Sequence, residues 1–325
     1  NKLLVSDTGN SRVLIWNTFP TRNGQPADVV LGADDFDTWP NYFDLKNERD
    51  PKKRIYWPWD IWTDGQRVMV TSTVDGSVLI WNSFPMKNNQ PADLVLGYED
   101  FSTRFVQHPE NPMADLGTPR AIAFDGKHLV VGDYSTRRAF VWNGFPTRNG
   151  QAADFTIQVK RVEDEPYNDI MGVAIKDNRL FALSAQQVYI WNSFPEHGEK
   201  EDLRVGQTSR PTSDADSMSG PFGVATDGTR LIVADTNNNR VLIFNKVPTE
   251  PGAKADIVLG QPGFGVNTFI ARNSCGGPGA YSNGEQLAIG CDFGRRIYVY
   301  GHLPDESRAE ADVVINATWL GGVQQ

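Results

Sequence analysis

Histidine, cysteine and clustered carboxylates carry most protein chemistry, and this chain uses the first two sparingly. Its four histidines are His108, His128, His197 and His302. His128 falls in a hairpin-turn region. His197 and His302 follow strand-like runs in loops of another kind, so a three-histidine zinc centre is not expected. No serine lies on a strand–turn–helix elbow, and no glycine-rich phosphate loop appears. The two cysteines, Cys275 and Cys291, lack metal-site companions. They flank Ser282-Asn283-Gly284, a hairpin signal, and counting outward from Asn283 sets them eight residues away on either side. Two readings follow: a cross-strand disulfide, which fits an oxidising compartment, or two buried thiols. Oxygen ligands are plentiful. Asp60 and Asp169, with Asn168 and Asn273, stand near strand starts and form a weak candidate set for calcium, the one cofactor the sequence leaves open.

A few residues stand out because they break a repeat. A strand-like run ends in an aromatic residue and Asn, with Pro three positions later: Trp16-Asn17 to Pro20, Trp81-Asn82 to Pro85, Trp142-Asn143 to Pro146, Trp191-Asn192 to Pro195 and Phe244-Asn245 to Pro248. A degenerate sixth copy runs from Tyr300-Gly301 to Pro304. An Asp then opens a further apolar run at Asp28, Asp93, Asp154, Asp202, Asp256 and Asp312. The copies recur at a period of roughly 50–65 residues, which marks six units of one supersecondary type. Each reads as four short strands rich in Val, Ile, Leu and aromatics, joined by Asp-Gly and similar turns. In the fifth copy these are Phe222–Thr226, Arg230–Ala234, Arg240–Phe244 and Asp256–Leu259. No long helical period competes. The fold class is therefore all-β: a six-bladed β-propeller of four-stranded antiparallel blades, read as one domain over 1–325. The first copy begins at its second strand, Lys2–Asp7. Its missing innermost strand is expected from the C-terminal tail, 317–325, which would close the ring and remove an exposed edge.

The runs Leu231-Ile-Val-Ala-Asp-Thr-Asn-Asn-Asn-Arg-Val-Leu-Ile-Phe244 and Leu4-Val-Ser-Asp-Thr-Gly-Asn-Ser-Arg-Val-Leu-Ile-Trp16 resemble NHL repeats. Weaker copies start at Val131 and Ile289, while blades two and four depart from the motif at Thr73–Ser77 and Ser184–Gln187. The resemblance spans essentially the whole chain. It implies the propeller, and it embraces ligand- and partner-binding modules, kinase sensor domains, RNA-binding modules and a peptide-amidating lyase. Related six-bladed folds carry calcium-dependent lactonases, so a lactonase- or esterase-like hydrolase with a site at the channel mouth stands as the alternative. A structural part in a larger extracellular assembly is a third reading.

What repeats belongs to the scaffold. Asp7, Asp133, Asp235 and Asp292 are placed at second-strand exits to accept turn amides, and Arg12, Arg138, Arg240 and Arg296 at third-strand starts. The tryptophans ending third strands read as packing between blades, and the aspartates opening fourth strands as turn caps. What breaks the repeat marks the working surface. Aligned on the turn residues Asp64, Asp125, Asp177, Asp227 and Asn283, the inner strands carry Asp60, Ala121, Val173, Gly223 and Gly279 four positions earlier. One position before those stand Trp59, Arg120, Gly172, Phe222 and Pro278. The loop from Gly32 to Trp57 adds Trp39, Tyr42 and Trp57. Trp39, Tyr42, Trp57, Trp59, Asp60, Arg120 and Phe222 form the candidate binding set for a protein or small-molecule ligand.

The chain has 325 residues, 31 Lys and Arg against 40 Asp and Glu, and a net charge of −9. That balance opposes a phosphate-backbone partner, so nucleic acid is not expected. No apolar run approaches a membrane span. With the disulfide reading, the acidic balance favours an extracellular or periplasmic place. The leading expectation is a non-catalytic propeller that binds through its loop face.

Overall fold

The computed structural model describes residues 2–38, 50–103, 111–160, 167–184, 186–206, 212–268, 279–291 and 296–316. The architecture is all-β, a six-bladed propeller of antiparallel sheets. Blade 1 comprises β1 (Leu3–Asp7), β2 (Arg12–Trp16) and β3 (Val29–Leu31). Blade 2 comprises β4 (Pro58–Thr63), β5 (Val68–Ser72), β6 (Ser77–Trp81) and β7 (Leu94–Leu96). Blade 3 comprises β8 (Pro119–Phe124), β9 (Leu129–Asp133), β10 (Arg138–Trp142) and β11 (Phe155–Ile157). A two-stranded ribbon, β12 (Val159–Lys160) with β13 (Tyr167–Asn168), precedes blade 4. That blade is β14 (Gly172–Lys176), β15 (Arg179–Ser184), β16 (Gln187–Trp191) and β17 (Leu203–Val205). Blade 5 is β18 (Gly223–Thr226), β19 (Leu231–Asp235), β20 (Arg240–Phe244) and β21 (Ile257–Leu259). Blade 6 is β22 (Gly279–Ser282), β23 (Leu287–Cys291), β24 (Arg296–Tyr300) and β25 (Val313–Asn316). Among the described residues there is no α-helix, only short 3-10 turns, and no helix long and apolar enough to cross a membrane.

The chain forms two compact units. The first holds residues 25–156 together with 1–20 and 318–325; the second holds 157–317 together with 21–24. In each, apolar side chains of successive blades interdigitate. Blades 1 and 2 share a core of Val13, Ile15, Leu31, Val70, Leu79 and Trp81, and blades 2 and 3 one of Ile80, Leu96, Val131, Phe140 and Trp142. In the second unit, Phe181, Val233 and Leu242 belong to one such layer and Ile232, Ile243 and Ile289 to the next. Each fully buried aliphatic side chain contributes on the order of 1.5–3 kcal/mol.

The repeated polar residues hold turns. The six fourth-strand aspartates act alike: Oδ2 of Asp28, Asp93, Asp154, Asp202, Asp256 and Asp312 accepts the amide of Asn17, Asn82, Asn143, Asn192, Asn245 and Gly301 at 2.7–2.8 Å. Buried Trp16, Trp81, Trp142 and Trp191 each donate Nε1–H to a carbonyl of the same loop, at Gln25, Gln90, Gln151 and Glu199. In blades 1 and 5, Arg12 Nε and Arg240 Nε meet Asp7 and Asp235 at 2.7 Å. Each guanidinium then clamps its incoming loop, Arg12 through the Phe36 carbonyl and Arg240 through those of Ser213, Asp214 and Ser217.

The same third-to-fourth-strand loops do something further. They reach back onto the outer strand of the preceding blade. Asn88 Oδ1 accepts the Val30 amide at 3.1 Å while the Asn89 amide donates to the Val30 carbonyl at 2.8 Å. Asn149 and Gly150 treat Val95 identically, and Ser307 and Arg308 treat Val258 likewise. Within the second unit, Asn23 and Gly24 bind Val314 in the same way. The donating residue, Gly24, Asn89, Gly150 or Arg308, has positive φ in all four latches. That left-handed turn lets one residue offer its amide while its neighbour offers a side-chain oxygen.

Three sequence alignments shift. The β14–β15 hairpin turns on two residues, Asp177 and Asn178, both at positive φ, where the other inner hairpins use four. The position aligned with Gly223 is therefore Gly172, not Val173. In blade 6, Cys291 faces Arg296 as Asp235 faces Arg240, so Cys291 rather than Asp292 occupies the strand-exit position. Finally, Ser282 pairs with Leu287 and Gly279 with Gly290. The hairpin is centred on Gly284–Glu285 rather than Asn283. Cys291 is disulfide-bonded, and Cys275, the other cysteine of the chain, lies outside the described residues. The tail at 317–325 lies outside them too.

Candidate functional site

The residues that break the repeat in blades 2 and 3 sit on broken strand pairing. In β4 the register shifts between Pro58, opposite Ser72, and Ile61, opposite Val70, so Trp59 and Asp60 together face Thr71. Thr71 Oγ1 takes both their amides, at 3.2 and 2.8 Å. In β8 the register shifts between Pro119, opposite Asp133, and Ala121, opposite Gly132, which leaves Arg120 as the extra residue. A β-bulge bends its strand and re-aims side chains that regular pleating would send elsewhere. Two neighbouring inner strands bulge at the same level. The two bulges are joined by Thr73, whose hydroxyl donates to the Pro119 carbonyl at 2.7 Å and whose amide donates to the Trp57 carbonyl at 3.3 Å.

The re-aimed side chains form a compact arrangement. The Arg120 guanidinium lies over the Trp59 ring at 4.6 Å and over the Tyr134 ring at 4.1 Å. Such cation–π contacts contribute roughly 0.5–1 kcal/mol where exposed and about 2 kcal/mol when desolvated. The Asp60 carboxylate is held by main-chain amides: Oδ1 accepts from Ile61 and Oδ2 from Ile122 of the adjacent blade, both at 2.9 Å. The ion pair between Asp60 and Arg120 that their types invite is not formed; one is gripped by amides and the other by rings. Desolvation pushes the Asp60 pKa up to about 6, against the opposing pull of those two hydrogen bonds. Asp60 still keeps part of its surface open to solvent.

Around this cluster lie exposed apolar side chains. Trp57 is 36 % exposed. It also adopts a positive φ, unusual for a bulky residue. Val74 is 43 % and Tyr134 42 % exposed. All three belong to the end of the blades where inner strands begin and second strands finish. By strand direction, Met86, at 58 % exposed, lies toward the opposite end of blade 2.

The other candidates fall elsewhere. Trp39 and Tyr42 lie outside the described residues. Phe222 belongs to the second unit, donates its amide to the Ala234 carbonyl and packs against the core of blades 4 and 5. Asp169 also belongs to the second unit. Among the described residues no three His, Cys, Asp or Glu side chains gather as a metal site. His128 is buried beside Asp125, whose carboxylate lies 3.3 Å from its Nδ1. Two participants escaped the sequence reading: Tyr134, which closes the Arg120 sandwich, and Thr71, which supports the first bulge. Nothing local marks either, because both act across strands.

No protein-family model and no curated protein matches the chain. Solved structures do resemble it. A computationally designed protein, Ika8, aligns over 93 % of this chain and 68 % of its own at 10 % identity, TM-score 0.46. The β-propeller domain of Myceliophteria thermophila Cps50 (Swd1) aligns over 76 % of this chain and 65 % of its own at 13 % identity, TM-score 0.44. A nidogen/laminin complex contributes a chain aligned over 76 % of each at 13 % identity, TM-score 0.44.

Proposed function

We propose that this chain is a non-catalytic NHL-type propeller that binds a partner protein through the bulged end of blades 2 and 3. The observation that carries this reading is the pair of adjacent bulges, which brings Trp59, Asp60 and Arg120 together and sets exposed Trp57, Val74 and Tyr134 beside them. Trp, Tyr and Arg dominate the energetic centres of protein interfaces, the rings by burying large area and the guanidinium by stacking and multiple hydrogen bonds. The Asp–Arg clamps of blades 1 and 5 support the NHL resemblance as a scaffold device. The bonded Cys291 supports a secreted or periplasmic place, where disulfides persist.

The test is photo-crosslinking in extract from the native source, with benzoylphenylalanine at position 57 in one variant and at position 86 in another. The reading expects a discrete adduct from position 57 that is lost when Tyr134→Ala is added. Adducts from position 86 alone, or equal adducts from both, overturn it.

A further inference from the structure

The feature the scaffold does not explain is Asp60. Four equivalent inner-strand positions carry Ala121, Gly172, Gly223 and Gly279, so regular strand pairing does not require a carboxylate there, and the two amides that Asp60 holds do not neutralise its charge. The strands packed against β4 are β1, β5 and β8. Their charged groups are Asp7, which is paired with Arg12, and Arg120, which is stacked between rings; β5 brings none. Among the described residues of this unit, then, Asp60 is a fixed anion with amides on both oxygens and no cation at salt-bridge distance. A desolvated carboxylate in that state gains strongly from an incoming cation, because the attraction acts at reduced dielectric and the geometry is already set.

We propose that Asp60 receives a basic side chain, lysine or arginine, from the partner protein, with Trp57, Val74 and Tyr134 packing around its aliphatic stem. The inference rests on the functional reading above and names the partner's chemistry. Charge complementarity supports it at two ranges. Asp60 supplies the local anion, and the chain's net charge of −9 draws basic partners from a distance. The exposed rings suit the methylene stem of such a residue, which packs on apolar surface while its head reaches a polar site. A carboxylate oxygen that holds one amide still has a lone pair able to accept an N–H of the incoming group.

The experiment uses the full chain and two defined probes, N-acetyl-arginine amide and n-butylammonium, followed by amide and indole NMR shifts at pH 5 and pH 7.5. The expected result is saturable shifts at Ile61, Ile122 and the Trp59 indole. Binding should be about tenfold weaker at pH 5, where a carboxylate titrating near 6 is mostly protonated. Asp60→Asn should abolish it while shifts in blades 5 and 6 stay unchanged. Equal binding by Asp60→Asn, binding indifferent to pH, or shifts produced by calcium but by neither organic cation would each overturn the proposal. If a crosslinked partner is lost with Tyr134→Ala but bound normally by Asp60→Asn, the binding face stands and the basic side chain falls.

Discussion

Asp60 and Asp235 are both carboxylates withdrawn from water, and they are resolved in opposite ways. Asp235 is fully buried at the exit of β19. Arg240 meets it at 2.7 Å, and the Ser219 amide and Asn238 side chain complete its shell at 2.7 and 2.9 Å. Desolvation raises its pKa and the Arg240 charge opposes the rise. The result is a finished internal joint that ties a loop to a strand. Asp60 has the desolvation without the cation, and sits on a bulge where its neighbours have small residues. A charge compensated within its own unit reads as scaffold. One left without a counter-ion reads as prepared for something that arrives.

Breaking the finished joint should have the largest effect. Arg240→Ala leaves Asp235 buried and unpaired, and is expected to lower unfolding free energy by about 3–5 kcal/mol, read from urea denaturation at pH 7. A loss no greater than that of a surface arginine would show that the pairing is incidental. Asp60→Asn should act in the other direction. With its folded pKa raised above the unfolded value near 3.8, Asp60 binds more protons when folded. Stability therefore falls as pH rises through the window from about 4 to 6 and levels off above it. The asparagine variant lacks this loss. Relative to the native protein it should therefore gain about 1–3 kcal/mol between pH 4 and pH 7.5, on top of a pH-independent cost for the one amide that the asparagine NH2 cannot accept. Equal pH profiles for the two would remove the contrast between the carboxylates.

Two smaller effects sharpen the picture. Asn149→Ala removes the acceptor for the Val95 amide and should cost about 1 kcal/mol, with faster hydrogen exchange at Val95 and not at Val258, whose latch is Ser307. Tyr134→Ala should cost about 0.5–1 kcal/mol in stability, since it removes one of the two rings on which Arg120 stacks. It should nevertheless remove most partner crosslinking. A large stability loss there would make Tyr134 a packing residue instead.

The fold was legible because its signals are local and repeated. The aromatic-Asn-Pro run, the capping aspartate and the Asp-Gly turns recur in register with the strands they bound. The latches were legible in principle, since Asn23, Asn88, Asn149 and Ser307 each stand three residues after the repeat's proline. Their meaning was hidden because each partner lies on another blade, up to 291 residues away in sequence. Of the site, Trp59, Asp60 and Arg120 stood out as exceptions at aligned positions. The bulges that unite them did not, because a bulge depends on how two strands pair. The same lack of pairing information misplaced the alignment by one residue at Gly172, where a two-residue turn replaced a four-residue one, and misjudged the hairpin centre by counting from Asn283.

The most direct test is a pH titration of the Asp60 side-chain carboxyl carbon by NMR, in the free protein and with N-acetyl-arginine amide present. The free group is expected to titrate near 6, far above the other strand-turn aspartates such as Asp64, and to move lower when the cation binds. An ordinary value near 4 in the free protein, unmoved by the cation, would contradict the claim that Asp60 is a partly desolvated charge awaiting its counter-ion.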